Sequence, residues 1–261
     1  MHSVHPGLRF KERMKNGEAL LGAWCALDSP ATIEAMTHLD LDWLMIDCEH
    51  GLTGAERCLV QIQAADRGGK TVFVRVPHLE PSLIGRVLDA GAHGIMVPKV
   101  DNAQEAAKVV EACRYPPAGQ RGIGPHRSSS YFTATADALS RANGRLVIAV
   151  QIESREAVDA IDEIVAVPGV DVVFVGPADL SASLGHFGDP GHEEVEQAVH
   201  RVLDHALQQG VGVGIYCNSG KTAARRVERG FQMVNVGNDF GLLVRAMQEQ
   251  IAAARAAIVA G

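Results

Sequence analysis

Eight apolar, β-branched runs alternate with eight longer amphipathic segments, and this rhythm restricts the fold more than any other feature of the chain. The runs are LLGAWCAL (20–27), WLMIDCE (43–49), TVFVRVP (71–77), GIMVPKV (94–100), RLVIAVQIE (145–153), VVFVGP (172–177), GVGIYC (212–217) and MVNVGND (233–239). Helical segments are read between them at 29–39, 53–67, 81–90, 102–114, 154–166, 192–209, 220–230 and 242–260. The first carries Ser29 at its cap and Pro30 in its first turn. Strands joined by helices predict a parallel sheet, and eight units in 261 residues match a (β/α)8 TIM barrel. The expectation is an α/β single domain over residues 1–261. A doubly wound open sheet is the alternative, but no G-x-G-x-x-G follows the first strand.

A hydrophobic fraction of 47% is ample for one large core. The net charge of −7, with no basic block, argues against a nucleic-acid surface, while a local site can still oppose that sign for a small anion. No run approaches the ~20 apolar residues of a membrane span, and the N-terminus lacks a signal-peptide core, so a cytoplasmic protein is expected. Cys25, Cys48, Cys58, Cys113 and Cys217 fall at wide spacings, which fits reduced thiols rather than a disulfide frame or zinc site.

In such a barrel the carboxyl ends of the strands meet around one mouth. Those ends carry Asp47, Glu49 and His50, then Arg75, Lys99, Gln151 with Glu153, and Asp179. Glu153 ends the strand in AVQIESREA (149–157), and Asp179 follows the strand in VVFVGPADLSASLG (172–185). Each carboxylate alone fits a helix N-cap, whereas two on adjacent strands suit a hard divalent cation that keeps water or substrate in its remaining positions. Zinc is less natural, because no histidine pair or thiolate cluster has ligand spacing. The chain turns into a helix at Ala178 and Asp179, leaving backbone N–H groups open to an anion. Residues 115–144 are too long for a simple connection and read as a functional loop, a surface excursion or a subunit contact, with a short helix at 135–142.

Taken together and in order, DCEHG (47–51), VRV (74–76), VPKVDNAQEA (97–106), RYPPAGQRGIG (114–124), QIES (151–154) and VGPADLSASLG (175–185) resemble the HpcH/HpaI family of metal-dependent class II pyruvate aldolases. The resemblance runs from about residue 8 to the last helix. It implies reversible cleavage of 4-hydroxy-2-oxo acids to pyruvate, or a related 2-oxo acid, and an aldehyde. It further implies that Glu153 and Asp179 hold Mg2+, Mn2+ or Co2+, and that Gln151, the Ala178 backbone and Asp179 lie against the 2-oxo acid. His50 is implied as the base and Arg75 as the enolate-stabilising cation. Asp89 is implied to raise the basicity of His50, with Asp47 as a second candidate for orienting it. A homo-oligomer is implied too, a hexamer built as a dimer of trimers, with the C-terminal helix packed on a neighbouring subunit.

The residues support these roles, since a fixed guanidinium stabilises developing enolate charge and a histidine beside an acid titrates near neutrality. The chain departs from the family's best-known pattern at EHGLT (49–53) and GPHRSSSYF (124–132), where His126 or Arg127 is a candidate reader of the aldehyde end. Three rivals remain: a Schiff-base aldolase using Lys99, a related metal-dependent decarboxylase or hydroxyacyl-CoA lyase, and a barrel without catalysis.

Overall fold

The structure, a computed structural model, describes residues 4–260. Its strands are β1 (Leu20–Cys25), β2 (Trp43–Asp47), β3 (Thr71–Arg75), β4 (Gly94–Val97), β5 (Val147–Ile152), β6 (Val172–Val175), β7 (Gly212–Ile215) and β8 (Met233–Asn238). They pair in parallel in chain order and β8 returns to β1, which closes a (β/α)8 TIM barrel. The helices are α1 (Pro6–Lys15), α2 (Pro30–Thr37), α3 (Cys58–Arg67), α4 (Pro81–Asp89), α5 (Ala103–Cys113), α6 (Thr135–Arg145), α7 (Arg155–Asp159), α8 (Ile161–Val165), α9 (Pro177–Ser183), α10 (Glu193–Gln208), α11 (Gly220–Glu228) and α12 (Asp239–Ala260). None of the described helices is long and apolar enough to cross a membrane.

Local chemistry sets the helix starts. The Ser29 hydroxyl accepts the Thr32 N–H at 3.2 Å ahead of α2, and the Asn102 side chain accepts the Glu105 N–H at 2.9 Å ahead of α5. One face of each strand packs outward on these helices, as Ile46, Val74, Ile95 and Ile148 do in a cluster with Ile33, Ile62, Ile84 and Val109. The inward positions, Trp43, Met45, Phe73, Met96, Ala149 and Phe174, fill the barrel. The Trp43 ring lies over Gly22, where a Cβ would stand 2.0 Å from a ring atom, so only glycine leaves room for it. The period of two that points Trp43 and Met45 inward carries Asp47 to the inner rim, and likewise Arg75 beyond Phe73 and Gln151 beyond Ala149.

Several elements differ from the sequence-based expectation. Helix α1 was not expected: only Gly7, Phe10 and Met14 of its ten residues are buried, and its packing of Phe10 against Phe73, ring centroids 5.0 Å apart, is a tertiary contact. The expected helix at 154–166 divides into α7 and α8 at Ala160. Strand β2 ends at Asp47, so Glu49 and His50 belong to the following turn. The loop from 115 contains α6, longer than the expected 135–142, and its ends are stapled by Asn143, which exchanges two hydrogen bonds with the Tyr115 backbone. The loop packs at the barrel's opposite end, where Arg127 donates to Asp66 and to the Ala90 carbonyl. His126 and Arg127 therefore do not face the mouth of their own barrel, because the loop leaves α5 and returns to β5 at the strands' amino ends.

Candidate active site

At the carboxyl end of the barrel a cavity of about 320 Å³ is lined by Asp47, His50, Arg75, Gln151, Ala178 and Asp179, together with Trp24, Phe174, Tyr216 and Asn238. Its fixed centre is Arg75, whose Nε and Nη2 donate to the two Asp47 oxygens at 2.9 and 2.7 Å. Nη1 stands 3.0 Å from Glu49 Oε2 and donates to Gln151 Oε1 at 3.5 Å, and the guanidinium lies over the Trp24 ring at 5.2 Å. Burial disfavours the Arg75 charge, but the Asp47 hydrogen bonds and the Asp47 and Glu49 charges outweigh it and hold the guanidinium more firmly protonated than usual. Burial also pushes the Asp47 carboxyl up, yet the Arg75 hydrogen bonds prevail and keep it below its ordinary range.

Gln151 passes the network on, its Nε2 donating to Glu153 Oε2 at 2.5 Å, while Glu153 Oε1 accepts the Lys99 N–H at 2.9 Å. This close approach requires glycine at 176, where a Cβ would lie 2.8 Å from both Gln151 Nε2 and Glu153 Oε2. Burial pushes the Glu153 carboxyl up to about 7; the Lys99 N–H opposes the rise, and the charge of Asp179 adds to it. Asp179 stands in the first turn of α9 after β6, exposed, with no hydrogen-bond or ion-pair partner among the described residues. Burial raises the Glu49 carboxyl as well, against the Arg75 charge, and Glu49 Oε2 is buried without a partner in hydrogen-bond geometry. His50 is exposed at the lip, with Nε2 3.7 Å from Glu49 Oε1.

Asp47, Gln151, Ala178, Asp179, His50 and Arg75 therefore share one cavity, with Glu153 directly behind it. Asp47 accepts the backbone N–H groups of Glu49 and His50, so it shapes the turn that bears the histidine, and its oxygens face Arg75 rather than the imidazole. Asp89 is not a neighbour of His50 within the chain: it ends α4 at the far end of the barrel and pairs with Arg121 at 2.6 Å. The reason is geometric, since α4 runs nine residues back down the barrel from the rim. Lys99 is exposed and does not line the cavity; its contribution is a main-chain N–H, offered from a left-handed conformation with φ of 53°. Glu49 stood at a strand end in the sequence without a role, and Trp24 and Tyr216 carried only their inward parity as a signal.

The profile of the HpcH/HpaI aldolase/citrate lyase family matches residues 20–246. The chain is 40% identical over 246 residues to the hydroxypyruvate/pyruvate aldolase of Pseudomonas aeruginosa, covering 94% of this chain and 91% of that one. It is 37% identical over 241 residues to the 5-keto-4-deoxy-D-glucarate aldolase of Klebsiella pneumoniae, covering 92% and 94%. A crystal structure of a family protein from Burkholderia cenocepacia superposes with a TM-score of 0.91 at 38% identity, covering 95% of this chain and 99% of that one. This chain belongs to the HpcH/HpaI aldolase/citrate lyase family.

For an HpcH/HpaI protein the implied cofactor is a divalent cation, and the donors here suit one. Asp47, Glu49, Glu153 and Asp179 bring four carboxylates to this end of the barrel, oxygen donors of the kind preferred by Mg2+ and Mn2+, while the one imidazole of the lining, His50, stands exposed at the lip. Histidines with ligand spacing do exist elsewhere, contrary to the sequence reading: His186, His192 and Glu194 have ligand atoms within 4.8 Å of one another before and at the start of α10. The two imidazoles are stacked, centroids 3.4 Å apart and planes 14° from parallel, so they do not aim in-plane lone pairs at one point, and Glu194 is shared with Arg155.

Proposed function

We propose that this protein is a divalent-metal-dependent class II aldolase that reversibly cleaves 4-hydroxy-2-oxo acids to pyruvate, or a related 2-oxo acid, and an aldehyde. The observation that carries the reading is the single mouth shared by His50, Arg75, Gln151 and Asp179, with Glu153 hydrogen-bonded to Gln151 behind it. Glu153 and Asp179 would hold the cation, whose chemistry when bound is Lewis acidity toward the 2-oxo acid. Gln151, Asp179 and the Ala178 backbone orient that acid at the floor of the mouth. When the C3–C4 bond breaks, negative charge gathers on the 2-oxo oxygen, and Arg75 meets it as a cation already locked by Asp47. His50 takes the proton of the 4-hydroxyl in cleavage and returns it in condensation; exposed at the lip, it can exchange that proton with water.

Lys99 favours this reading over a Schiff base, because an imine-forming amine belongs inside the mouth and this side chain lies outside. Oxaloacetate decarboxylation, which releases the same enolate, is expected as a side activity. The chain is further proposed to work in the cytoplasm as a homo-oligomer, a hexamer, in which α12 packs on a neighbour. That arrangement is supported by the exposure of Leu243, Met247 and Ile251 along α12. The test is pyruvate release from a panel of 4-hydroxy-2-oxo acids by metal-loaded and chelated protein. Release by the loaded protein alone is expected, with no adduct on borohydride treatment; release that survives chelation, or a borohydride-trapped lysine, overturns the reading.

A further inference from the structure

Tyr216 follows β7 on the inward parity of Gly212 and Gly214, and its N–H donates to the Val175 carbonyl at 3.1 Å, which fixes its backbone beside β6. Its ring stands edge-on to Trp24, centroids 5.5 Å apart. The phenol oxygen accepts a hydrogen bond from Asn238 Nδ2 at 2.8 Å. The orientation of that amide is set independently, because Asn238 Oδ1 accepts the Gly241 N–H at 2.6 Å. Tyr216 is therefore the acceptor in its bond with Asn238, and its own O–H hydrogen is turned away from that residue. Among the described residues no side chain or backbone group accepts this hydrogen. Burial raises the phenol above its ordinary range, so the hydrogen is present at neutral pH.

The position of this donor matters. Tyr216, Pro177 and Ala178 line both the catalytic mouth of about 320 Å³ and an adjoining cavity of about 570 Å³ that runs toward α11. A substrate that extends from the mouth into the adjoining cavity passes Tyr216. A half-buried donor with no protein partner favours a ligand that supplies an oxygen and loses binding to one that does not.

We infer that the Tyr216 hydroxyl donates a hydrogen bond to an oxygen on the acceptor half of the substrate, so that the enzyme selects aldehydes carrying a hydroxyl next to the carbonyl over alkyl aldehydes. This rests on the aldolase reading above and names its acceptor class. Tyr216→Phe removes the hydroxyl and keeps the ring that packs on Trp24. Pyruvate condensation with glycolaldehyde and with propanal, which have the same number of heavy atoms, is measured for both proteins, alongside deuterium exchange at the pyruvate methyl group without aldehyde. The expected result is a loss of about tenfold in kcat/KM for glycolaldehyde, little change for propanal, and unchanged exchange. Intact exchange with both aldehydes affected equally, or neither affected, overturns the role of Tyr216 alone. Absence of exchange in the metal-loaded wild-type protein overturns the aldolase reading, and the inference with it.

Discussion

His50 and Arg75 share one mouth but differ in what each does for the fold. His50 is exposed, with a side-chain exposure of 64%, and among the described residues its imidazole has no closer partner than Glu49. His50→Asn is expected to leave the unfolding free energy within about 0.5 kcal/mol and to cut turnover by roughly 10²–10⁴, read by denaturant melts and pyruvate release. Arg75 is buried between Asp47 and Glu49. Arg75→Met leaves both carboxylates without their cation, so about 3–5 kcal/mol of stability should be lost together with activity. These residues were legible in the sequence because each lies at or just beyond the end of an inward-facing strand, where chain position and spatial position coincide. The placement of Asp89 was not legible: its partner Arg121 comes from a loop 32 residues away, and nothing local announces that pairing.

Among the elements, the β3–β4 connection contains a group that should set the acid limit of stability. His93 is half-buried beside Asp66, Arg127 and His5, and its Nδ1 accepts the Val72 N–H at 3.1 Å. Burial first, then the Arg127 and Arg9 charges, lowers it from 6.5 to about 4. Between those values the unfolded chain binds the proton and the folded one does not, so stability falls as pH drops below about 6.5 and the loss levels off below about 4. The expected loss is about 3 kcal/mol. Melting at pH 7.5 and pH 5 checks it, and His93→Asn, which keeps an acceptor for Val72, should reduce the loss, leaving the share of His5, which burial first and then His93 also lower to about 4. Lys99 permits a second check at this scale. With φ of 53°, Lys99→Gly retains the conformation that presents its N–H to Glu153, so stability and turnover should survive, whereas a Schiff-base mechanism would lose all activity. Strands and most helices followed from apolar periodicity; α1 did not, because its formation depends on burying Phe10 and Met14 against the finished barrel.

For the whole molecule, closure of eight strands was legible from their count and from the length of the helices between them, whereas α12 requires another surface to explain it. Its start is tied down by Asp239, which accepts the Ala26 and Leu27 N–H groups at 3.0 Å each, yet Leu243, Val244, Met247 and Ile251 beyond it are all exposed. Leu243→Asp combined with Met247→Asp is expected to reduce the solution mass measured by light scattering while the barrel stays folded; an unchanged mass would contradict packing of α12 on a neighbour. Catalysis of the proposed kind requires Glu153 and Asp179 to hold one divalent ion at the mouth. Electron paramagnetic resonance titration with Mn2+ tests it most directly. One site per chain is expected in the wild-type protein, lost in both Glu153→Gln and Asp179→Asn and retained in His186→Ala; binding that persists in the first two and vanishes in the third would contradict it.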